Sequence, residues 1–240
     1  MKRNRNMTKN KKTKNNTNLV PLQGLVVLFF LLIIAQSIYA VALDSKNRDP
    51  KYVETIVARS QKIVDKLELK SDETITQVRN IIANKYFSLN DIYTERDSAV
   101  SKMKRTLTGE AKNSALEMAQ NRKEAALYRS HFAFPADLSL YLTTSQIESV
   151  KDGITYGVVK VTYDSTLDMI PSLKEEEKAQ ILAWLKEARE FAIDAESSNK
   201  KHEAFGKYKG RINNYLSARG YDLTKERQNW YERIKANKSK

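Results

Sequence analysis

Few residues in this 240-residue chain are able to do chemistry. Cysteine is absent, which excludes disulfides, thiolate metal sites and thiol nucleophiles. The two histidines, His131 and His202, lie far apart in sequence, and two such residues do not define a metal centre. No glycine-rich phosphate loop, nucleophile elbow or metal-helix motif occurs. Glu187 and Glu190 are three apart on an expected helix, which makes their carboxylates neighbours. Such a pair can hydrolyse glycosides, but it is also what the wet side of any amphipathic helix carries.

The segment Lys207-Tyr208-Lys209-Gly210-Arg211-Ile212-Asn213-Asn214-Tyr215 mixes cations, amides and phenols. On a helix, Lys207, Arg211 and Asn214 share one face, and Tyr208, Ile212 and Tyr215 share another. The first face suits an acidic sugar such as a uronate, with Arg211 offering a bidentate fork. The simpler account is a solvated basic face over an apolar underside. Aromatic rings also concentrate here, Trp184 and Tyr215 among them, and rings are the usual platforms for sugar faces as well as ordinary boundary residues of helical cores. Tyr156 stands out because it lies between Gly153 and Gly157 in an irregular stretch. The candidate ligand-binding residues are therefore Tyr156, Trp184, Glu187, His202, Lys207, Lys209, Arg211, Asn214 and Tyr215. No catalytic residue, metal or cofactor is assigned.

The elements that must position these residues are helical. Glycine (7) and proline (4) are scarce, which argues for long helices rather than many short strands. Asp49-Pro50 reads as an N-cap followed by proline at the first helical position. Val53, Ile56, Val57, Ser60, Ile63, Val64 and Leu67 then repeat at helical spacing. Ser71 starts a long helix to about Leu107, and a third begins near Glu110 after Thr108-Gly109. Pro135 should kink or end that helix. Thr143 and Gln146 have capping-box spacing, as do Ser172 and Glu175. Ile154–Tyr163 is rich in β-branched residues and reads as an extended crossover. Arg219-Gly220 is a glycine stop, and Thr224 caps a last helix. Gly206 and Gly210 inside a helix each cost about 1 kcal/mol against alanine, which close packing of a backbone or ligand would offset. The expectation is an all-α bundle of six to seven helices with one extended crossover at about 154–163.

The net charge of +13 is unevenly spread. Seven basic residues and no acid occupy positions 1–18, followed by an apolar run from Leu25 to Ala35 and the small-x-small site Ala40-Val41-Ala42. That is an export signal at 1–42, with cleavage expected after Ala42 and Ala40 as the alternative site. The competing reading is a retained membrane anchor. Either way residues 43–240 form one helical domain outside the cytoplasm, periplasmic or secreted. Residues 43–199 carry 23 basic and 25 acidic residues, whereas 200–240 carry 12 and 4. The positive charge thus belongs to the leader and the C-terminal end, and a nucleic-acid partner is not expected.

Three stretches carry a resemblance: Val150-Lys-Asp-Gly-Ile-Thr-Tyr-Gly-Val-Val, Lys178-Ala-Gln-Ile-Leu-Ala-Trp-Leu-Lys-Glu-Ala-Arg-Glu, and Gly206-Lys-Tyr-Lys-Gly-Arg-Ile-Asn-Asn-Tyr-Leu-Ser-Ala-Arg-Gly-Tyr. From about Tyr52 onwards the chain resembles an uncharacterised family of exported helical proteins from polysaccharide-degrading bacteria, sometimes labelled sugar-binding. The resemblance implies a non-enzymatic binding or accessory protein in polysaccharide use, taking an acidic or neutral oligosaccharide. It also implies a continued helix at Pro135. A second, single motif, Leu142-Thr-Thr-Ser-Gln146, is similar to one in small periplasmic helical stress chaperones and metal sensors, which supplies the runner-up reading. A glycan-active enzyme is the third.

Overall fold

The computed structural model describes residues 40–238. The expected export signal falls almost wholly on residues 1–39, which lie outside the described residues. Eight α-helices follow one another: α1 (Pro50–Val64), α2 (Asp72–Thr106), α3 (Gly109–Leu138), α4 (Thr144–Ile154), α5 (Val158–Met169), α6 (Glu175–Ile193), α7 (Ser198–Ala218) and α8 (Leu223–Lys238). Among the described residues there is no strand.

The helix starts follow local chemistry. Asp49 accepts from the Tyr52 N–H at 2.9 Å with Pro50 in the first turn, and Ser71 accepts from Thr74 at 3.3 Å. Thr143 and Gln146 form the full capping box. Two caps sit elsewhere than expected. Glu177 bonds the Lys174 N–H at 2.9 Å, so α6 starts two residues beyond Ser172. Asp222, not Thr224, caps α8 through the Thr224 and Lys225 N–H groups at 3.1 Å. α7 ends in a Schellman turn: Gly220 at φ 92° and Tyr221 return N–H bonds to Ser217 and Leu216.

The extended crossover expected at 154–163 is instead the end of α4 and the first half of α5. Tyr156 and Gly157 both take the left-handed conformation, at φ 62° and 67°, and turn the chain into the new helix. Val159, Tyr163 and Leu167 recur four apart and pack, with Val158 and Met169, on a shared core. Burial of that stripe overrides the β-preference of the individual residues. This helix raises the count to eight. Pro135 does not end α3 either. The helix runs three residues past it to Leu138, with Phe134 and Leu138 buried on either side.

α2 and α3 form a long antiparallel hairpin, with α1 on α2 and α4 on α1. α5 and α7 flank α6, and α8 closes on α5, where Arg233 donates to the Asp168 and Met169 carbonyls at its C-terminus. Two large apolar cores result, beside a small cluster of Ile56, Ala83 and Phe87. One joins Ile63, Val78, Ile82, Phe134, Leu138, Val150 and Ile154; the other joins Ile170, Ile181, Leu185, Phe205, Ile212 and Leu216. α6 serves both, giving Ile193 to the first and Ala188 and Ala192 to the second.

Glycines test this packing. A methyl at Gly153 would meet Ile63 Cγ2 at 2.9 Å, whereas methyls at Gly206 and Gly210 meet nothing. No close backbone therefore offsets those two helix glycines, contrary to expectation. Gly206→Ala and Gly210→Ala should each raise unfolding stability by roughly 0.5–1 kcal/mol in denaturant titration. Gly153→Ala should lower it by roughly 1 kcal/mol or more through overpacking.

Candidate functional site

Where the two cores meet, α6 presents charge. Arg189 follows Leu185 by one helical turn and is buried at a core position. Its guanidinium donates to Asp152 at 2.8 Å, to Glu148, and to Glu190 at 3.2 Å. Burial alone would lower this guanidinium, but the hydrogen bonds to Asp152 and Glu148 outweigh it and hold the charge. Lys151 donates to Glu190 at 3.0 Å, so α4 and α6 are laced together by charge-assisted bonds.

The network continues across the seam. Asp194, the C-cap of α6, accepts from Lys85 of α2 at 2.5 Å and lies 2.7 Å from His131 Nδ1 of α3. Its carbonyl accepts the Tyr93 hydroxyl at 2.8 Å, and Lys85 also donates to Ser130 at 2.9 Å. A carboxylate only accepts, so His131 carries its proton on Nδ1, and Nε2 is left with a lone pair when the ring is neutral. The nearest acid to Nε2 is Glu190 at 3.9 Å, beyond hydrogen-bond range.

This network floors a groove of about 850 Å³ lined by α2, α3, α6 and α7. His131, Glu190 and Asp194 line its base. Tyr128, Phe132 and Phe191 line it too and are 68%, 57% and 63% exposed. Tyr128 and Phe132 lie 4.8 Å apart, and Phe191 rests against Tyr208 at 6.3 Å. Lys123 and Lys207 complete the rim. Among the described residues no group of His, Asp and Glu is disposed to hold a metal ion. Three of the four acids here, Glu190, Asp194 and Glu196, are tied to lysine or arginine instead.

The residues singled out from sequence fall into several places. Lys207 lines the groove. Trp184, Glu187, Arg211 and Tyr215 form a surface ladder on α6 and α7: Arg211 lies 4.4 Å over Trp184 and 3.5 Å from Glu187, and Trp184 meets Tyr215 edge-on at 5.0 Å. Arg219 covers Tyr215 at 4.0 Å. Arg211 is thus stacked on Trp184, with one nitrogen of its fork at the outer limit of a hydrogen bond to Glu187 and the side chain half-exposed. Tyr156 stacks on His202 at 5.8 Å, away from the ladder and not on the groove lining. Lys209 and Asn214 are exposed. Glu187 and Glu190 point into different networks.

Tyr128, Phe132, Phe191, Lys123 and Asp194 were not singled out from sequence. One signal was present: Tyr128 and Phe132 are one helical turn apart and lie off the stripe of His131, Phe134 and Leu138.

With the geometry in place, the described residues form an all-helical protein that carries an aromatic groove over an ionic floor. Residues 53–236 match the model of a family described as "Protein of unknown function (DUF3826)", and the chain belongs to that family. No curated protein matches the chain.

Below the floor, Lys201 of α7 is 5% exposed and its ammonium has no hydrogen-bond partner. Burial pushes it down to about 8; Asp194 opposes this, and Lys85 and Arg59 add to it. The Tyr86 ring lies 5.9 Å from the ammonium. The folded state therefore binds fewer protons than the unfolded state between pH 8 and the ordinary lysine value near 10.5, so stability rises with pH in that interval. Tyr86 and Tyr93, pushed up to about 12 by burial, act in the opposite sense above pH 10. Lys201→Met should gain roughly 1–3 kcal/mol at pH 7 and flatten the rise between pH 8 and 10, read by chemical unfolding across pH. A loss of stability at pH 7 would contradict the burial argument.

Proposed function

We propose that this chain is an exported carbohydrate-binding protein and that its ligand lies in the groove between α3 and α6. The observation that carries this reading is the set of three rings left open over a polar floor. Pyranose faces stack on exposed rings while a few fixed polar groups take the hydroxyls. Rigid seating of the floor by buried ion pairs supplies the preorganisation that such a site requires. The resemblance to exported, sugar-associated helical proteins agrees with it, as does the basic, apolar, small-residue leader.

Calorimetry with neutral and acidic oligosaccharides tests the reading. Binding is expected, with Phe191→Ala and Tyr128→Ala each weakening it about tenfold, equivalent to about 1.4 kcal/mol. Failure of every glycan to bind, or full affinity in both variants, would overturn it.

A second reading has its own observation: His131, oriented by Asp194, offers a free Nε2 beside the groove, which is the arrangement of a general base. The same incubations, followed for new reducing or unsaturated ends, distinguish the two. Product formed by the native protein and lost in His131→Ala would make the groove an active site.

Export makes a separate prediction. Val41 is held on α2 by Gln77 and Asn80, through its N–H at 2.5 Å and its carbonyl at 2.8 Å. Cleavage after Ala40 keeps these bonds and cleavage after Ala42 removes them. Terminal sequencing of the protein recovered outside the cytoplasm should therefore begin at Val41; recovery only in the cytoplasm would refute export.

A further inference from the structure

The groove's polar groups can be divided into those already engaged and those left over. Three of its four acids are held by cations: Glu190 by Arg189 and Lys151, Asp194 by Lys85, and Glu196 by Arg96 at 3.1 Å. The fourth, Glu124, accepts from Gln120 at 2.6 Å. Two of its cations are also occupied, Arg96 by Glu196 and Lys200 by Glu203 at 2.8 Å. Lys123 on α3 and Lys207 on α7 have no acid within ion-pair range among the described residues. The Tyr93 hydroxyl is spent on the Asp194 carbonyl.

What remains for a ligand is therefore lopsided. Two ammonium groups offer up to six N–H donors and a net positive charge, against one acid without a cation. One imidazole lone pair can take a hydroxyl proton. Neutral sugars are held by groups that accept as well as donate, and the Tyr128 hydroxyl and spare carboxylate lone pairs remain for that, but a neutral sugar leaves the two unpaired ammonium groups without a counter-charge. A ligand that brings its own carboxylate matches the leftover set.

Resting on the reading of the groove as a glycan site, we propose that its ligand is a uronate-bearing oligosaccharide, with the uronate carboxylate met by Lys123 and Lys207 and a sugar face on Phe191. The acidic-sugar site thus lies in the groove and not on the Arg211 face, where the guanidinium is already stacked on Trp184 and paired with Glu187. Both lysines sit on the rim, so the attraction is screened by salt.

The test compares tri-galacturonate with its methyl ester, which has the same rings and hydroxyls without the charge. The native protein should bind the acid at least tenfold more tightly than the ester at low salt, and the gap should narrow as salt rises. The variant carrying Lys123→Gln and Lys207→Gln should bind both equally weakly, at the level of the native protein with the ester. The variant carrying Lys123→Arg and Lys207→Arg should keep the preference. Equal native affinity for acid and ester would overturn this inference while leaving the groove a glycan site. A preference that survives in the glutamine variant would also overturn it, by showing that other groups read the charge. Absence of binding to either form would remove the inference together with the reading it rests on.

Discussion

The rest of the structure depends on burying charge where two apolar cores meet. α6 is the shared wall of both, and its last two turns carry Arg189, Glu190 and Asp194 into the seam. An ion without a partner there is costly, because desolvation runs to several kcal/mol per ion, and only Lys201 is left so among the described residues of the seam. Each of the three on α6 is answered from another helix: Arg189 from α4, Asp194 from α2 and α3, Glu190 from α4 and from its own neighbour. Asp194 adds a difficulty, since a carboxylate at a helix C-terminus faces the negative end of the helix dipole. The ammonium of Lys85 and the nearby charge of Lys201 reverse the local sign. Removing one partner would leave the other buried and uncompensated, so the network fixes the relative placement of α2, α3, α4 and α6 more strictly than apolar contact alone would.

That constraint also shapes the groove. Because the acids of the floor are committed downwards to cations of the seam, they do not fold over the rings above them. The floor is polar, and it joins α3 to the end of α6 through His131 and Asp194. Phe191 illustrates the consequence. It lies between Glu190 and Ala192, of which the first is tied into the network and the second is buried in the C-terminal core, so its backbone is held and its ring faces solvent.

Much of the fold was legible in sequence because it is local. Asp49, Ser71 and Thr143 are caps by chemistry alone, and the α1 stripe predicts its buried face residue by residue. The extended reading of Ile154–Tyr163 fails because β-branched composition is visible in one segment, whereas the core that buries the stripe comes from α6 and α7. Pro135 misled in the same way: the residue disfavours a helix interior, but Phe134 and Leu138 in the core hold the last turn. The site was less legible still. Lys85, His131 and Asp194 are separated by up to 109 positions and meet only through packing of three helices. Arg189 gave a trace of itself, as a charge at a position where the Leu185 stripe asks for an apolar side chain. Its partners on α4 gave none.

The rings of the groove are treated differently from those of the neighbouring α6–α7 face. Trp184 is covered by Arg211, Tyr215 by Arg219 and Phe87 by Arg48, each with the guanidinium 4.0–4.7 Å from the ring centre. Such lids satisfy the ring face and cover apolar area. Tyr128, Phe132 and Phe191 have no cation over them among the described residues, although Lys123, Lys200 and Lys207 line the same groove. Exposed, adjacent rings are a liability for solubility unless something occupies them in use. Of these lysines only Lys200 is paired, so Lys123 and Lys207 are the groups left to accompany the open rings. A ligand that supplies both an apolar face and a negative charge satisfies the rings and the lysines together, whereas an apolar or a purely anionic one leaves half of the groove unanswered.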